Sequence, residues 1–219
     1  MSSATVAAAS GTTEDEALLH QAAACLLGYP DDAFAAQLPL VRAALADVKG
    51  PGADRLRSFA DHAAGTPTAE LAEHYVQVFD FARAGLYLSW WTDGDTRRRG
   101  QSLVRFKEHY RAHGFEFAAG AEELPDYLPV VLEFSAAART AGLLAAHRPA
   151  LELLRLALVD ADTPYRLVLD GVCATLPGPS PKDRAEARAL IRSGPPSEDV
   201  GLEPYGHLGL LPLLTTGEH

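Results

Sequence analysis

What most limits the fold of this chain is that each break in its apolar pattern is followed at once by a new helix start. Thr13 with Glu16 three residues on is a capping box, in which hydroxyl and carboxylate satisfy each other's backbone N–H groups. Behind it Leu18, Leu19, Ala22, Cys25 and Leu26 recur at helical spacing until Gly28-Tyr29-Pro30 stops the run. "DDAFAAQLPLVRAALADVKG" gives a second helix in spite of Pro39 and is ended by Gly50-Pro51-Gly52, and "ADRLRSFADHAAG" gives a third. Thr66 is expected to cap a fourth, with Pro67 in its first turn, where a missing N–H costs nothing. Leu71, Tyr75, Val78 and Phe79 would share its inner face. "RRRGQSLVRFKEHYRAHG" is expected to bury Leu103, Phe106 and Tyr110, with Asp95 or Thr96 as cap and an end near Gly114. "RPALELLRLALVDAD" and "YRLVLDGVCATLPG" continue the series, while the start of "GLYLSWWTDGDTRRRG" fits either a short strand or a buried helical turn. Alternating strands do not succeed one another anywhere, so the class is all-α: a single-domain compact helical bundle.

Residues 13–176 are expected to form that domain. The first twelve residues carry no helix signal and are expected to be mobile. From Leu176 the composition shifts to "PGPSPKD" and "SGPPSED", so 177–219 reads as a Pro/Gly-rich tail, partly disordered, with a short helix at Arg184 to Ile191. The start "MSSATVAAAS" lacks the basic and apolar regions of a secretory signal, and no run approaches the roughly 18 apolar residues of a membrane span. Cys25 and Cys173, far apart in apolar helical settings, read as two thiols in a reducing compartment, so the cytoplasm is the expected location. A net charge of -10 disfavours nucleic acid as a partner and suits a cationic one.

The chain offers little for catalysis. Asp93-Gly94-Asp95 after an apolar run has the look of an Asp-based phosphotransferase loop, but Arg97 stands where such a loop needs a threonine, and no sheet surrounds it. His109 and His113, one helical turn apart, have neither a HExxH frame nor a cysteine to complete a metal site. Gly-rich phosphate loops and nucleophile elbows are missing. The expectation is a protein without enzymatic activity, cofactor or metal. Arg97-Arg98-Arg99 heads a helix, where positive charge opposes the helix dipole, and Asp93, Asp95 or Glu122 is expected to neutralise it.

"EELPDYLPVVLEF", residues 122–134, is the least ordinary stretch. Asp126 is a good N-cap and Pro129 falls in the first turn. Tyr127, Val130, Val131 and Phe134 then form one apolar stripe, with Asp126 and Glu133 lined up beside it. That is either a capped core helix with a solvated rim or one wall of a groove for a cationic, amphipathic partner.

Three segments together resemble one family: "LLGYPDDAF", "YVQVFDFARAGLYLSWWTDGDTRRRGQSLVRFKEHYRAHGFE" and "ELPDYLPVVLEF" are similar to the NarJ-type assembly chaperones of respiratory nitrate reductase, a branch of the TorD/DmsD-like redox-enzyme chaperones. The resemblance runs from about residue 14 to 175 and implies an all-helical domain without a bound cofactor. It implies a partner, the immature catalytic molybdenum subunit, recognised in the cytoplasm by its N-terminal peptide while its molybdenum cofactor and iron–sulfur centres are inserted. Neither nucleic acid nor direct membrane insertion belongs to that picture. The family's Glu-Pro-Asp-His motif reads Leu124-Pro125-Asp126-Tyr127 here, with the first acid displaced to Glu123 and tyrosine in place of histidine. The expected peptide-binding residues are Tyr75, Phe79, Asp80, Tyr87, Glu123, Leu124, Pro125, Asp126, Tyr127, Leu128 and Glu133, with Tyr75 and Phe79 as groove floor or core. A helical interaction adaptor without an assembly role is the other reading of the same features.

Overall fold

The structure, a computed structural model, describes residues 12–81, 84–117, 123–193 and 214–215. Its elements in chain order are α1 (Glu14–Leu26), α2 (Asp32–Leu45), α3 (Pro51–Gly65), α4 (Thr68–Val76), a π-helical turn (Gln77–Phe81), α5 (Leu88–Asp93), α6 (Arg97–Ala112), β1 (Glu116–Phe117), α7 (Leu128–Ala137), α8 (Gly142–Ala146), α9 (Arg148–Asp160), α10 (Arg166–Cys173), α11 (Arg184–Ser193) and β2 (Leu214–Thr215). The fold is all-α; the one small sheet among the described residues is the antiparallel pair β1–β2, with Phe117 opposite Leu214. None of the helices among the described residues is long and apolar enough to cross a membrane.

Local signals act largely as the sequence dictates. Thr13 and Glu16 form the reciprocal capping box, Asp31 caps α2 through Phe34 N–H (2.9 Å), and Thr96 caps α6 through Arg98 N–H (3.3 Å). Two expectations fail at the ends of α3. α2 already stops at Leu45, and Gly50-Pro51-Gly52 instead opens α3, because Gly50 at φ 115° turns the chain and Pro51 fits the first turn. Thr66 closes α3 by donating to His62 O (2.8 Å), and Pro67, not Thr66, precedes α4. In the uncertain run "LYLSWW" Tyr87 is extended and makes a single bridge with Tyr127, and the helix α5 begins only at Leu88. The short α8 carried no legible signal of its own.

The centre of the molecule is α7. Its residues Leu128 through Leu132, Phe134 and Ser135 are all buried, and before its last turn only Glu133 reaches solvent, so it must be covered on nearly every side. α1 lies along it and α8 packs beside it. Phe134 takes Tyr110, His109, His113 and Phe115 around its ring at 4.8–5.6 Å between centroids. A second crossing brings α10 against α3, where Gly171 and Gly52 let the backbones meet. A Cβ at Gly171 would stand 2.9 Å from the Leu56 side chain and 3.2 Å from Gly52 O.

His20 joins α1 to this core as a fully buried polar group. Its Nδ1 hydrogen-bonds with Ser135 Oγ (2.9 Å) on α7 and its Nε2 with Thr175 Oγ1 (2.8 Å) after α10. Burial lowers its pKa to about 4 against the repulsion-free 6.5, the opposing pull of Glu16 being weaker. The folded ring is therefore neutral where the unfolded ring takes a proton.

Residues 177–193 lie against α9. Glu152, fully buried, accepts from Arg155 Nε (2.6 Å) and Arg148 Nη2 (3.3 Å). The same two arginines donate to the carbonyls of Pro177, Gly178 (2.9 Å) and Pro181 (2.6 Å). α11 buries Ala187 against Leu153 and Leu156. A division at 176/177 thus cuts through the ligands of a buried charge cluster. The expected mobile start, except Thr12, and most of the expected tail lie outside the described residues.

Two outcomes follow. Truncation after Pro177 leaves Arg148 and Arg155 short of carbonyl acceptors, so urea titration should show a loss on the order of 2–4 kcal/mol, and a melt unchanged from the full chain would contradict this attachment. As pH falls from 6.5 towards 4, the unfolded state gains the proton that His20 refuses, so stability is complete above the upper value and declines below it by up to about 3 kcal/mol from this residue. His20→Gln should flatten that part of the acid limb in pH-dependent melts.

Candidate functional site

Two chain segments that are distant in sequence are pinned together ahead of α5 and α7. Tyr87 and Tyr127 form an isolated antiparallel bridge. Beside it Leu128 N–H donates to Leu86 O (2.7 Å) and Leu88 N–H to Asp126 O (3.0 Å). Tyr110 on α6 adds a hydroxyl bond to Pro125 O (2.6 Å). The segment 123–128 is therefore held by α5 and α6 before it enters the core as α7.

Asp126 completes this clamp and corrects the reading of it as the cap of α7. The helix begins after Tyr127, which makes no side-chain cap bond. Asp126 is fully buried, and its Oδ2 accepts from Ser89 N–H (3.1 Å) and Ser89 Oγ–H (2.5 Å) in the first turn of α5. Its side chain thus caps a different helix, across space. Arg99 Nε donates to Ser89 Oγ (3.3 Å), which brings a guanidinium to the edge of this cluster. Oδ1 has no partner among the described residues.

Outside the clamp runs a line of aromatic rings. Tyr29, half exposed, meets Tyr75 edge-on at 5.5 Å. The Tyr75 hydroxyl donates to Leu27 O (3.2 Å) and lies 3.4 Å from that of Tyr127, whose ring is 5.4 Å from Tyr87. Tyr87 in turn donates to Glu123 Oε2 (2.6 Å) and carries the Arg99 guanidinium over its ring at 5.8 Å, the same cation lying 6.0 Å from the ring of Trp90. Burial raises the pKa values of Tyr75, Tyr87 and Tyr127, with the Glu123 carboxylate adding to the shift at Tyr87. All three stay neutral hydroxyls that donate and accept.

The carboxylates along this line differ in setting. Asp80 is exposed at the π-turn and Glu123 is half-buried. Glu133 is the one acid on α7; one of its oxygens is buried without a partner, and desolvation raises its pKa to about 7. The expected acidic edge beside the α7 stripe is thus Glu133 alone, because Asp126 has turned inward.

Of the residues expected at the site, Asp80, Tyr87, Glu123, Leu124, Tyr127 and Glu133 reach the surface at least partly. Tyr75, Phe79, Pro125, Asp126 and Leu128 are buried, and they form the floor and the frame. Ser89, Arg99 and Tyr110, which hold the frame, went unread, as did the exposed rings of Tyr29 and Phe81. An aromatic residue inside the turn Gly28-Tyr29-Pro30 was the available signal for Tyr29; Phe81, 77% exposed, follows a π-turn that no spacing rule announces.

Other candidates resolve differently. Asp93 accepts from Ser102 Oγ (2.6 Å) in a helix-to-helix turn rather than at the end of a buried strand. His109 and His113 lie tilted to each other with ring centroids 4.6 Å apart beside Phe134, and burial lowers the His109 pKa to about 4. No group of three or more His, Cys, Asp or Glu side chains among the described residues is placed to hold a metal ion.

Known proteins match the chain across the site. A family model described as "Nitrate reductase delta subunit" matches residues 46–168. The chain is 39% identical over 159 residues to "Nitrate reductase-like protein NarX" of Mycobacterium tuberculosis, which covers 71% of this chain and 24% of NarX. It is 37% identical over 128 residues to "Probable nitrate reductase molybdenum cofactor assembly chaperone NarJ" of Bacillus subtilis, covering 58% of this chain and 68% of that protein. Against "Nitrate reductase molybdenum cofactor assembly chaperone NarJ" of Escherichia coli it is 40% identical over 63 residues, 28% of this chain and 26% of the other. The chain thus spans about a quarter of the length of NarX.

The clamp makes a sharp distinction between its two acids. Asp126→Ala orphans two buried donors and should cost about 1–3 kcal/mol of stability, whereas Glu123→Ala, at the surface, should cost about 1 kcal/mol or less. Equilibrium denaturation of both variants checks this, and equal losses would mean that Asp126 is not the structural partner of Ser89.

Proposed function

Because the chain belongs to the nitrate reductase delta subunit family, we propose that it is an assembly chaperone for the molybdenum cofactor of a respiratory nitrate reductase. It acts in the cytoplasm on the immature catalytic subunit, catalyses no reaction of its own, and holds that subunit while cofactor and iron–sulfur centres enter. Its handle is the subunit's N-terminal peptide, bound as a cationic amphipathic helix by the helical domain.

The observation that carries this reading is the aromatic line from Tyr29 through Tyr75 and Tyr127 to Tyr87, flanked by Glu123 and Glu133. A helical peptide laid along it would bury its apolar side on rings that lose little conformational entropy, which is where binding energy concentrates. Leu124 and the ring of Tyr29 supply exposed apolar area, and the two carboxylates orient the peptide's cations. Asp126 acts through the frame: it sets the positions of Leu124, Tyr127 and Tyr87 without meeting the peptide.

Calorimetric titration with the N-terminal peptide of the catalytic subunit tests this. Tyr29→Ala should weaken binding about tenfold or more, in line with an interface hot spot. Glu123→Gln with Glu133→Gln should weaken it several-fold at low salt and little at high salt, because exposed ion pairs are screened. Unchanged affinity in all these variants would remove the peptide from this surface. Cells lacking the protein should accumulate nitrate reductase catalytic subunit without molybdenum; a fully loaded subunit would leave a plain interaction adaptor.

A further inference from the structure

α6 turns a strongly cationic face outward from an acidic protein. It carries six basic side chains against the single acid Glu108, a net of +5, which leaves -15 on the rest of a chain whose total is -10. The sequence led us to expect Asp93, Asp95 or Glu122 to neutralise its first turn. The structure pairs Arg99 with the rings of Tyr87 and Trp90 instead, and Glu122 lies outside the described residues. Lys107 sits over the Phe117 ring at 5.7 Å and Arg111 lies 3.5 Å from Glu116. Arg97, Arg98 and Arg105 are exposed, and no carboxylate among the described residues pairs with them. Val104, 53% exposed, lies among them on the outer face.

This arrangement runs against local energetics. The first turn of α6 holds three arginines and no acid, where the helix dipole favours negative charge. Like charges one turn apart on a helix also repel. A solvated surface gains nothing from concentrating cations there while the remainder is strongly acidic.

We infer that the outer face of α6 is a docking surface for an acidic protein segment, separate from the aromatic line. The helix spans about 24 Å, four and a half turns, so it fits a segment of similar length. A narrow segment meets only the helix. A broad anionic lipid surface or a nucleic-acid duplex would also face the -15 remainder and be repelled. Lipid binding further calls for several large apolar side chains on the cationic face, and Val104 is the one at its centre.

The test uses the full chain and a fluorescent sixteen-residue glutamate-rich peptide, by anisotropy at low ionic strength. The parent should bind it, with affinity falling steeply as salt rises. Arg97→Gln, Arg98→Gln and Arg105→Gln combined should weaken binding about tenfold, since each exposed pair accounts for a factor of a few. Lys49→Gln, Arg55→Gln and Arg188→Gln combined make the same change in net charge at exposed sites elsewhere and should leave affinity near that of the parent. Titration of the α6 variant with the cationic peptide should give the parent's affinity, which shows that the fold and the other surface survive. Equal loss in both triple variants, no binding by the parent, or tighter binding to phosphatidylglycerol vesicles or duplex DNA than to the acidic peptide would overturn the inference.

Discussion

A helix buried along nearly its whole surface sets the terms for this molecule. α7 buries its apolar residues on every side, so its cover has to come from elements far away in sequence: α1 along its length, α8 at its end, and the aromatic side chains of α6 and Phe115 around Phe134. Such a helix cannot begin at the surface in the ordinary way. The chain leading into it must itself be fastened, because unpaired backbone groups at a buried helix start are costly. The bridge between Tyr87 and Tyr127, with its flanking backbone bonds to Leu86 and from Leu88, does the fastening.

From that constraint the character of the site follows. The segment 123–127 is the entry into the buried helix, so one of its acids is consumed as structure. Asp126 caps α5 through Ser89 and ties two helix starts together. Glu123 and the two tyrosines remain at the rim, where the Tyr87 hydroxyl donates to the Glu123 carboxylate and the Tyr127 ring packs against that of Tyr87. A rigid frame below and an aromatic, partly acidic rim above is the division of labour that the peptide recognition proposed for this surface would call for. The same clamp orients α5 and α6, and so turns the cationic face of α6 outward next to, but apart from, that rim.

Much of the architecture could be read from residue order alone because helix signals are local. Capping boxes, prolines in first turns and apolar stripes act within one or two turns, which is why α1, α2, α6, α9 and α10 appear close to where their patterns placed them. The errors sit at junctions. Gly50-Pro51-Gly52 and Thr66 each combine a stop signal with a start signal, and only the packing of α3 against α10 decides which one prevails. Residues 177–193 look like linker by composition, yet the carbonyls of Pro177, Gly178 and Pro181 are what Arg148 and Arg155 need beside a buried Glu152.

The candidate site divides along the same line. By itself the sequence determined the all-helical class and the family, since each rests on local order or on matched residues. Only the tertiary structure decided which of those residues face outward. Asp126 and Glu123 both carry a carboxyl group and are nearly adjacent, and local propensity makes Asp126 the better cap. Its actual partner, Ser89, lies 37 positions away in the chain. The burial of a carboxylate depends on whether distant donors are brought to it, and that is a property of packing rather than of spacing.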